Sequence, residues 1–284
     1  MAGSQSDAAR AVSLPAARRF ECHVIRDQVA EPGQRDVIDE QAMRIQVNGE
    51  PLATLMRTPG HEVDLASGFL LSEGLIHSPQ QIAAMSYCPD GSSGAAGIVR
   101  VLLTEELSEQ VKRRHRNIFS SCSLCGTDVI ETFAEGLPIC RKSAGRLDRR
   151  DIFQLRDAME RAQVAFRQTG GAHAAALAEL PLDAADGRVI VREDLGRHNA
   201  LDKAVGAAVA MGIALERSLL MLSGRLSLEM IAKAARAGIT DVAGVSAPSA
   251  LGVDLARRLD MFVAGFVRGN IMTVYSGVSA LQQT

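Results

Sequence analysis

The second half of the chain alternates short apolar runs with amphipathic stretches, and this rhythm limits the fold more than any other feature. The predicted strands cover 189–192, 218–222, 241–245 and 262–267, and the predicted helices cover 151–168, 199–211, 227–237 and 249–257. Strands that alternate with helices form a sheet whose faces the helices cover, joined by right-handed crossovers. The sequence therefore predicts an α/β (α+β) fold, with a sheet flanked by helices.

The first hundred residues have a different, strand-rich pattern. Asn48-Gly49 separates two apolar runs and favours a two-residue type I′ turn, because both residues accept positive φ angles. After this hairpin, the spacing of apolar residues from Val63 to Gly74 predicts an amphipathic helix that packs on it. Further strands are predicted over 19–26, 82–87 and 97–103.

This change of pattern predicts the domain organisation. We expect a flexible tail over residues 1–18 and a smaller strand-rich domain over 19–110, with its hairpin and one helix. The α/β domain is expected over 111–284, and it contains the cysteine loop and the polar turns described below.

Composition and charge exclude several classes of protein. Hydrophobic residues make up 47% of the chain and charged residues 23%, which is enough to bury a core. A net charge of −2 gives no general attraction to nucleic acid or an anionic membrane, and no apolar run reaches the roughly 20 residues of a membrane span. No secretory signal precedes residue 20, and an odd number of cysteines, five, indicates thiols in a reducing compartment. We therefore expect a cytoplasmic protein.

The strongest chemical signal is a short loop that contains Cys122 and Cys125, followed by Gly126. Between residues 112 and 150, nine Lys or Arg stand against four Asp or Glu, a local surplus of five positive charges in a chain with a net negative charge. A cationic setting stabilises a thiolate, which is the form of cysteine that attacks a sulfur donor. This interpretation predicts sulfur chemistry at the loop.

Other interpretations of the same loop remain open. A structural zinc site needs about four ligands, commonly a second Cys-x-x-Cys, whereas Cys22, Cys88 and Cys140 stand singly. A thioredoxin-type role requires the pair at a helix start after the first strand of a βαβ unit, but here the pair lies in mid-chain. The two cysteines are otherwise loop thiols without a role.

Two predicted strand-to-helix turns contain cationic residues. Arg197 and His198 follow the strand that ends near residue 194, and Arg225 lies in the turn 223–227, where Ser227 is placed to cap a helix. Free backbone N–H groups and arginine side chains at such turns bind phosphate. Turns of this kind are also ordinary loop closures, and His198 by itself is as compatible with a hydrogen-bonded side chain as with a general base.

Several separated motifs together resemble the FdhD family, the sulfurtransferases required for active formate dehydrogenase. The matching segments span nearly the whole chain after the tail, and they are Thr58-Pro59-Gly60-His61, 68–74, 122–126, 192–203, Ser223-Gly224-Arg225 and 266–275. A match over separated motifs is far more specific than one Cys-x-x-Cys. The residues between the two cysteines vary in this family.

The resemblance implies a function and its partners. A cysteine desulfurase would pass sulfur to the loop as a persulfide, and the protein would transfer it to the bis-molybdopterin guanine dinucleotide molybdenum cofactor of formate dehydrogenase. Cys122 would be the persulfide carrier, and Cys125 a second thiol that helps to relay or release the sulfur. The cofactor would contact a stretch of Phe266, Val267, Arg268, Gly269, Asn270 and Ile271, and its phosphates would contact Arg197, His198 and Arg225.

The resemblance also implies a cytidine-deaminase-like fold, a homodimer and no structural metal. Two competing functions are a chaperone that binds the molybdenum cofactor without covalent chemistry, and a zinc-dependent deaminase or zinc-stabilised regulator. The deaminase is disfavoured, because the chain lacks the His-x-Glu of those enzymes and has Ser121 where proline precedes their Cys-x-x-Cys.

Overall fold

The computed structural model describes residues 16–89, 97–105, 107, 130, 133–134, 136–137, 139, 146–182 and 188–282. In this part of the chain the strands are β1 Ala17–Arg26, β2 Val29–Ile38, β3 Gln41–Val47, β4 Glu50–Arg57, β5 Ile82–Cys88, β6 Gly97–Leu103, β7 His173–Glu179, β8 Val189–Asp194, β9 Ser218–Leu222, β10 Asp241–Gly244, β11 Phe262–Arg268 and β12 Ile271–Ser276. The helices are α1 Glu62–Ser72, α2 Arg149–Ala162, α3 Val164–Thr169, α4 Arg197–Ala210, α5 Leu228–Arg236 and α6 Ala250–Arg258. The predicted mixed α/β class is confirmed.

The main sheet has six strands in the order β12-β11-β10-β9-β7-β8. Strands β9, β10 and β11 are parallel neighbours, β7 is antiparallel to both β8 and β9, and β12 is antiparallel to β11. It follows that β8, β9, β10 and β11 all end on the same side. We call this side the carboxyl end of the sheet; β7 and β12 begin there.

Helices cover both faces of this sheet. On one face, Ala175, Leu177, Leu220 and Val242 belong to a core that includes residues of α1, α4 and α5. On the other face, the alternate residues of the same strands pack against Ile152 and other apolar residues of α2. Successive side chains of a strand point to opposite faces, so these strands are buried on both sides.

Helix α1 lies between this sandwich and a second sheet, whose strand order is β4-β3-β6-β5. Met43 and Ile45 of β3 share one core with α1, as the prediction that the helix packs on the hairpin requires. The helix is not amphipathic as predicted, because all eight residues from Leu65 to Ser72 are buried. The reason is that α4 packs on the side of α1 that the second sheet does not cover.

Two glycines allow α1 and α4 to cross with their backbones in contact. A Cβ atom on Gly68 would lie 1.8 Å from the carbonyl oxygen of Asp202, and a Cβ atom on Gly206 would lie 1.9 Å from that of Asp64. Real Cβ atoms do not approach so closely. The crossing therefore requires glycine at both positions.

The hairpin predicted at Asn48-Gly49 is confirmed. Strands β3 and β4 pair antiparallel on either side of it, and the φ angles of Asn48 and Gly49 are 50° and 87°. These angles are those of a type I′ turn. The predicted strands near β1, β5, β6, β8, β9, β10 and β11 and the helices near α4, α5 and α6 are confirmed with small shifts at their ends.

The helix predicted over 151–168 is wrong as one element, because α2 ends at Ala162 and α3 begins at Val164. The carboxylate of Glu193 accepts hydrogen bonds from the backbone N–H groups of Ala165 (2.8 Å) and Phe166 (2.9 Å). These N–H groups are in the first turn of α3, where they have no partner within the helix. A side chain from β8 thus stabilises a separate helix start.

Two strands were absent from the sequence-based prediction. Strand β7 contains four alanines in seven residues, and alanine has a low preference for strands. Strand β2 contains Pro32 and Gly33, is mostly polar and pairs with β1 in a two-stranded sheet that is largely exposed. Neither segment shows the apolar alternation that predicts a strand.

One apolar core connects the strand-rich part of the chain to the sandwich, through α1 and α4. The proposed boundary at residue 110 stays a prediction. Among the described helices, none has the length and apolar character that crossing a membrane requires.

The helix crossing gives a first prediction. We expect Gly206→Ala to lower the free energy of unfolding by at least about 3 kcal/mol, because the added methyl group overlaps the backbone of α1. Urea denaturation measures the change. Ala210→Ser is the control on an exposed position of the same helix, with an expected change within about 0.5 kcal/mol. Equal stability of the two variants would contradict the close crossing.

Candidate functional site

The described segments that the sequence analysis singled out gather at the carboxyl end of the main sheet. The turn that contains Arg197 and His198 follows β8, the turn that contains Arg225 follows β9, and the segment 266–271 joins β11 to β12. Ligands of open α/β sheets bind outside the carboxyl ends of the strands. These polar turns therefore form the candidate site.

Hydrogen bonds connect the turns that follow β9, β10 and β11. The backbone N–H of Leu226 donates to the carbonyl oxygen of Ala247 (3.1 Å), and the N–H of Phe266 donates to that of Ser246 (3.2 Å). The loop after β10 is thus fixed to its neighbour on each side. The three turns form one continuous surface.

A buried carboxylate organises the other side of the site. Asp194, at the end of β8, accepts hydrogen bonds from the backbone N–H groups of Thr58 (3.1 Å) and Gly196 (2.9 Å) and from the amide of Asn199 (3.0 Å). It also forms an ion pair with Lys203, whose Nζ atom lies 2.7 Å away, and both side chains are at least 99% buried. This carboxylate therefore holds together the turn after β8 and the first turns of α4.

Thr58 connects this hub to the N-terminal part of the chain. Its hydroxyl accepts a hydrogen bond from the N–H of Leu195 (3.0 Å), and its carbonyl oxygen accepts one from Lys203 (2.8 Å). Burial lowers the pKa of Lys203, although the Asp194 carboxylate beside it acts in the opposite direction. The motifs 58–61 and 192–203, far apart in sequence, thus form one hydrogen-bonded unit.

A second buried network fixes α5 relative to α4. The Nζ atom of Lys233 lies 2.8 Å from a carboxylate oxygen of Asp202, 2.7 Å from one of Glu73 and 3.0 Å from the hydroxyl of Ser72. Burial alone lowers the pKa of Lys233, but the two carboxylates outweigh it and the net shift is upward. Helices α4 and α5 both begin at the candidate site, so this network sets the distance between their first turns.

Arg197 and His173 both lie next to Gly224. A Cβ atom at Gly224 would lie 3.3 Å from the Cβ of Arg197 and 3.4 Å from the Nδ1 of His173. The Nε atom of Arg197 is buried without a hydrogen-bond partner. The two side chains thus meet over a position that has no side chain of its own.

His198 and Ser227 complete this part of the site. The Nε2 atom of His198 lies 2.9 Å from a carboxylate oxygen of Glu229, and this hydrogen bond lowers the pKa of Glu229. Ser227 occupies the predicted N-cap position of α5, but its hydroxyl makes no capping hydrogen bond and is buried without a partner. Arg225 is exposed on the same turn.

The segment 266–271 contains a β-bulge between β11 and β12. Phe266 has a φ of 53° and is 39% exposed, whereas Val267 is fully buried. Ile271 is 74% exposed, and Arg268, Gly269 and Asn270 are exposed as well. Two apolar side chains, those of Phe266 and Ile271, thus face solvent on either side of the exposed Gly-Asn tip. Arg156 donates a hydrogen bond to the carbonyl oxygen of Gly269 in this tip.

Cys122 and Cys125 lie outside the described residues, and so does most of the basic stretch around them. Two of the nine cations counted there are described in ion pairs, Arg146 with Asp241 and Arg150 with Asp148. Asp148 is already among the four acids of the stretch, so only the pair with Asp241 neutralises one of the five surplus charges. Within the described part of the chain, no three His, Cys, Asp or Glu residues are grouped as a metal site would require, and Cys22 and Cys88 are free thiols.

Neither the place of His173 in the site nor a role for Asp194 was predicted from the sequence. His173 is the first residue of β7, a strand that was not predicted, so nothing placed it at the carboxyl end of the sheet. A polar residue that follows Gly170-Gly171 and precedes a run of small apolar residues is the only local signal.

The fold and site together define a mixed α/β protein with polar turns gathered at one end of its main sheet. The same fold occurs in a crystal structure of a proposed formate dehydrogenase accessory protein from Desulfotalea psychrophila. The TM-score is 0.73 at 23% sequence identity, and the match covers 94% of this chain and all of that one.

Sequence comparison identifies the family. The model of the FdhD/NarQ family matches residues 38–282, and the chain belongs to this family. It is 40% identical over 264 residues to the sulfur carrier protein FdhD of Streptomyces coelicolor, covering 89% of this chain and 91% of that protein. It is also 40% identical over 255 residues to the protein of that name from Corynebacterium efficiens, with shares of 84% and 88%. The resemblance found in the sequence motifs is confirmed.

The hub at Asp194 gives a second prediction. We expect Asp194→Ala to lower the free energy of unfolding by roughly 3–5 kcal/mol, because it leaves the buried Lys203 without its counter-ion. Glu31→Ala is the control, since Glu31 pairs with Arg26 on the exposed hairpin and its loss costs at most about 1 kcal/mol. Urea denaturation of both variants measures the difference. Similar losses in the two variants would show that the hub does not stabilise the fold.

Proposed function

We propose that this chain is a sulfurtransferase that accepts sulfur from a cysteine desulfurase as a persulfide on Cys122. It transfers the sulfur to the bis-molybdopterin guanine dinucleotide molybdenum cofactor, which is its substrate, and thereby activates formate dehydrogenase. The relatives named sulfur carrier protein FdhD support the sulfur chemistry. One observation supports binding of the cofactor: Arg197, Arg225 and the segment 266–271 all lie at the same end of one sheet.

The extent of this surface suits a large ligand. Strands β11 and β8 are separated by β10, β9 and β7 in the sheet, and neighbouring strands lie about 4.8 Å apart. The ends of these two strands are therefore roughly 19 Å apart. A cofactor with a pterin at one end and a guanosine at the other is long enough to contact both, whereas a single phosphate is not.

The residues have different roles in this proposal. The exposed side chains of Phe266 and Ile271 offer apolar area to a flat ring, and Arg268 offers a positive charge beside them. Arg197, His198 and Arg225 bind phosphate oxygens at the other side, where the first turns of α4 and α5 also present free N–H groups. The segment from Phe266 to Ile271 is thus the cofactor-binding hairpin.

The sulfur chemistry has two balanced steps. First, the Cys122 thiolate attacks the terminal sulfur of the desulfurase persulfide, which forms the Cys122 persulfide and releases the desulfurase cysteine as a thiolate. Second, once the cofactor is bound, the Cys125 thiolate attacks the inner sulfur of that persulfide, which forms a disulfide and releases the outer sulfur as sulfide. The sulfide binds the molybdenum of the substrate and replaces an oxygen ligand, which takes up protons from solvent and leaves as water. The two thiols thereby supply the two electrons that reduce the sulfane sulfur, and cellular thiols later reduce the disulfide.

We also propose a cellular location, an oligomeric state and a set of partners. We place it in the cytoplasm, where a reducing environment keeps its cysteines as thiols, as a homodimer without a structural metal. Its partners are the desulfurase and formate dehydrogenase, and neither nucleic acid nor a membrane is among them. We also propose that its main sheet, flanked by helices, is similar to that of the cytidine deaminases.

A mass measurement tests the sulfur step. After incubation with a cysteine desulfurase and cysteine, we expect a gain of about 32 Da on the peptide that contains Cys122. Cys122→Ser abolishes the gain, whereas Cys125→Ser retains it, because loading of Cys122 does not require the releasing thiol. Cys22→Ser is the control thiol and behaves like the unmodified chain. An unchanged mass at Cys122 with an active desulfurase would reject the proposal.

A second experiment separates this function from a chaperone that binds the cofactor without sulfur chemistry. We expect Cys122→Ala and Arg268→Ala each to reduce activation of formate dehydrogenase at least about tenfold, because one removes the sulfur and the other a charged contact to the cofactor. Cys88→Ala leaves activation unchanged. Full activation by Cys122→Ala with loss in Arg268→Ala would favour the chaperone.

A further inference from the structure

His173 lies inside the candidate site but has no role in the function proposed above. It is the first residue of β7 and pairs across the sheet with Asp194 of β8. Its side chain is partly buried, and its Nδ1 atom lies 3.4 Å from the position that a Cβ atom on Gly224 would take, where the Cβ of Arg197 lies 3.3 Å away. Within the described residues its ring has no hydrogen-bond partner.

The surroundings of His173 favour the neutral imidazole. Burial is the largest influence that lowers its pKa, and the positive charges of Arg197 and His198 lower it further. Asp194 acts in the opposite direction, but its carboxylate is already bound to Lys203 and to three N–H donors. The neighbouring turn adds Arg225, which is a cation, and the carboxylate of Glu229 is hydrogen-bonded to His198.

Two further buried polar atoms lack a partner. They are the Nε of Arg197 and the hydroxyl of Ser227, the latter on the turn that contains Gly224. A buried polar group without a hydrogen bond costs free energy, and in native proteins such groups are mostly satisfied by water or a ligand. The guanidinium of Arg197 and the imidazole of His173, next to one glycine, are complementary to the oxygens of a phosphate.

We propose that His173 and Arg197 bind the pyrophosphate of the guanine dinucleotide, and that binding is accompanied by the uptake of one proton from solvent onto the His173 imidazole. This inference rests on the proposed function, since it assigns one part of the cofactor to one part of that site. The ligand is neither cleaved nor oxidised. The proton comes from water or buffer and remains on the ring nitrogen while the ligand is bound.

The proton is taken up because the bound ligand reverses the sign of the electrostatic field at His173. In the free protein the nearby cations oppose a further positive charge on His173. A bound pyrophosphate diester brings two negative charges next to Arg197, and an opposite charge within about 4–6 Å favours the charged form of a histidine. The imidazolium then donates a charge-assisted hydrogen bond, which is stronger than a bond from a neutral donor.

Calorimetry with the full chain tests this inference. The probe is diguanosine pyrophosphate, because both of its phosphates are diesters and do not exchange protons near neutral pH. Titrations at pH 7 in two buffers with different ionisation enthalpies give the number of protons taken up, and we expect roughly 0.5 to 1 per ligand. His173→Gln loses this uptake and binds about tenfold more weakly, since a neutral amide replaces the charged donor.

Two control variants locate the proton. His23→Gln, on the exposed hairpin, retains both the affinity and the proton uptake. His198→Gln retains the uptake although it binds more weakly. NMR titration of the six histidine rings uses the unmodified chain and therefore requires no variant to fold. We expect one ring to have a lowered pKa in the free protein, and we expect this pKa to rise by roughly one unit or more when the probe is added.

Each outcome supports or overturns the inference. Binding without proton uptake, uptake that survives in His173→Gln, or no binding of the probe would overturn it. The sulfur step is judged separately by the mass of Cys122. If Cys122 gains sulfur but no proton is taken up, this inference fails alone, whereas an unmodified Cys122 removes the proposed function itself.

Discussion

The buried carboxylate of Asp194 is the interaction on which the rest of the structure depends. It lies at the end of β8 and bonds to a backbone group of Thr58, to the turn after its own strand and to Lys203 of α4. A buried charge is stable only when it is paired and hydrogen-bonded, so none of these partners can move alone. The start of α4 and the segment after β4 are positioned together as a result.

The consequence for the site is that its two helix starts are rigid. Lys233 binds Asp202 of α4 and Glu73 after α1, so α5 is fixed to the same core. Gly68 and Gly206 let α1 approach α4 closely enough for these side chains to meet. Arg197 and Ser227, at the starts of the two helices, are therefore held at a set distance from each other, which is what recognition of a phosphate requires.

Much of the fold could be predicted from the sequence because the relevant signals are local. Asn48-Gly49 defines its hairpin through the φ angles of two residues, and the strand–helix alternation after residue 188 indicates the sandwich. The cationic turns could also be located, since Arg197 and Arg225 follow apolar runs that form strands.

What could not be predicted depends on contacts between distant residues. The break at Gln163 arises because Glu193, thirty residues later, binds the first turn of α3. Strand β7 is rich in alanine, and its pairing with β9 on one side and β8 on the other decides its structure where its own preference does not. His173 was missed for that reason, and the hub at Asp194 was missed because its partner Thr58 is 136 residues away.

The central claim is that one chain carries a sulfur atom and presents it to an anionic cofactor bound at the carboxyl end of its main sheet. A single-turnover experiment tests it most directly, with protein loaded with ³⁵S at Cys122, freed of desulfurase and mixed with molybdenum cofactor. We expect the label to move to the cofactor in the unmodified chain, and far more slowly in Arg197→Gln. Label that stays on the protein, or leaves it equally fast without cofactor, would contradict the account.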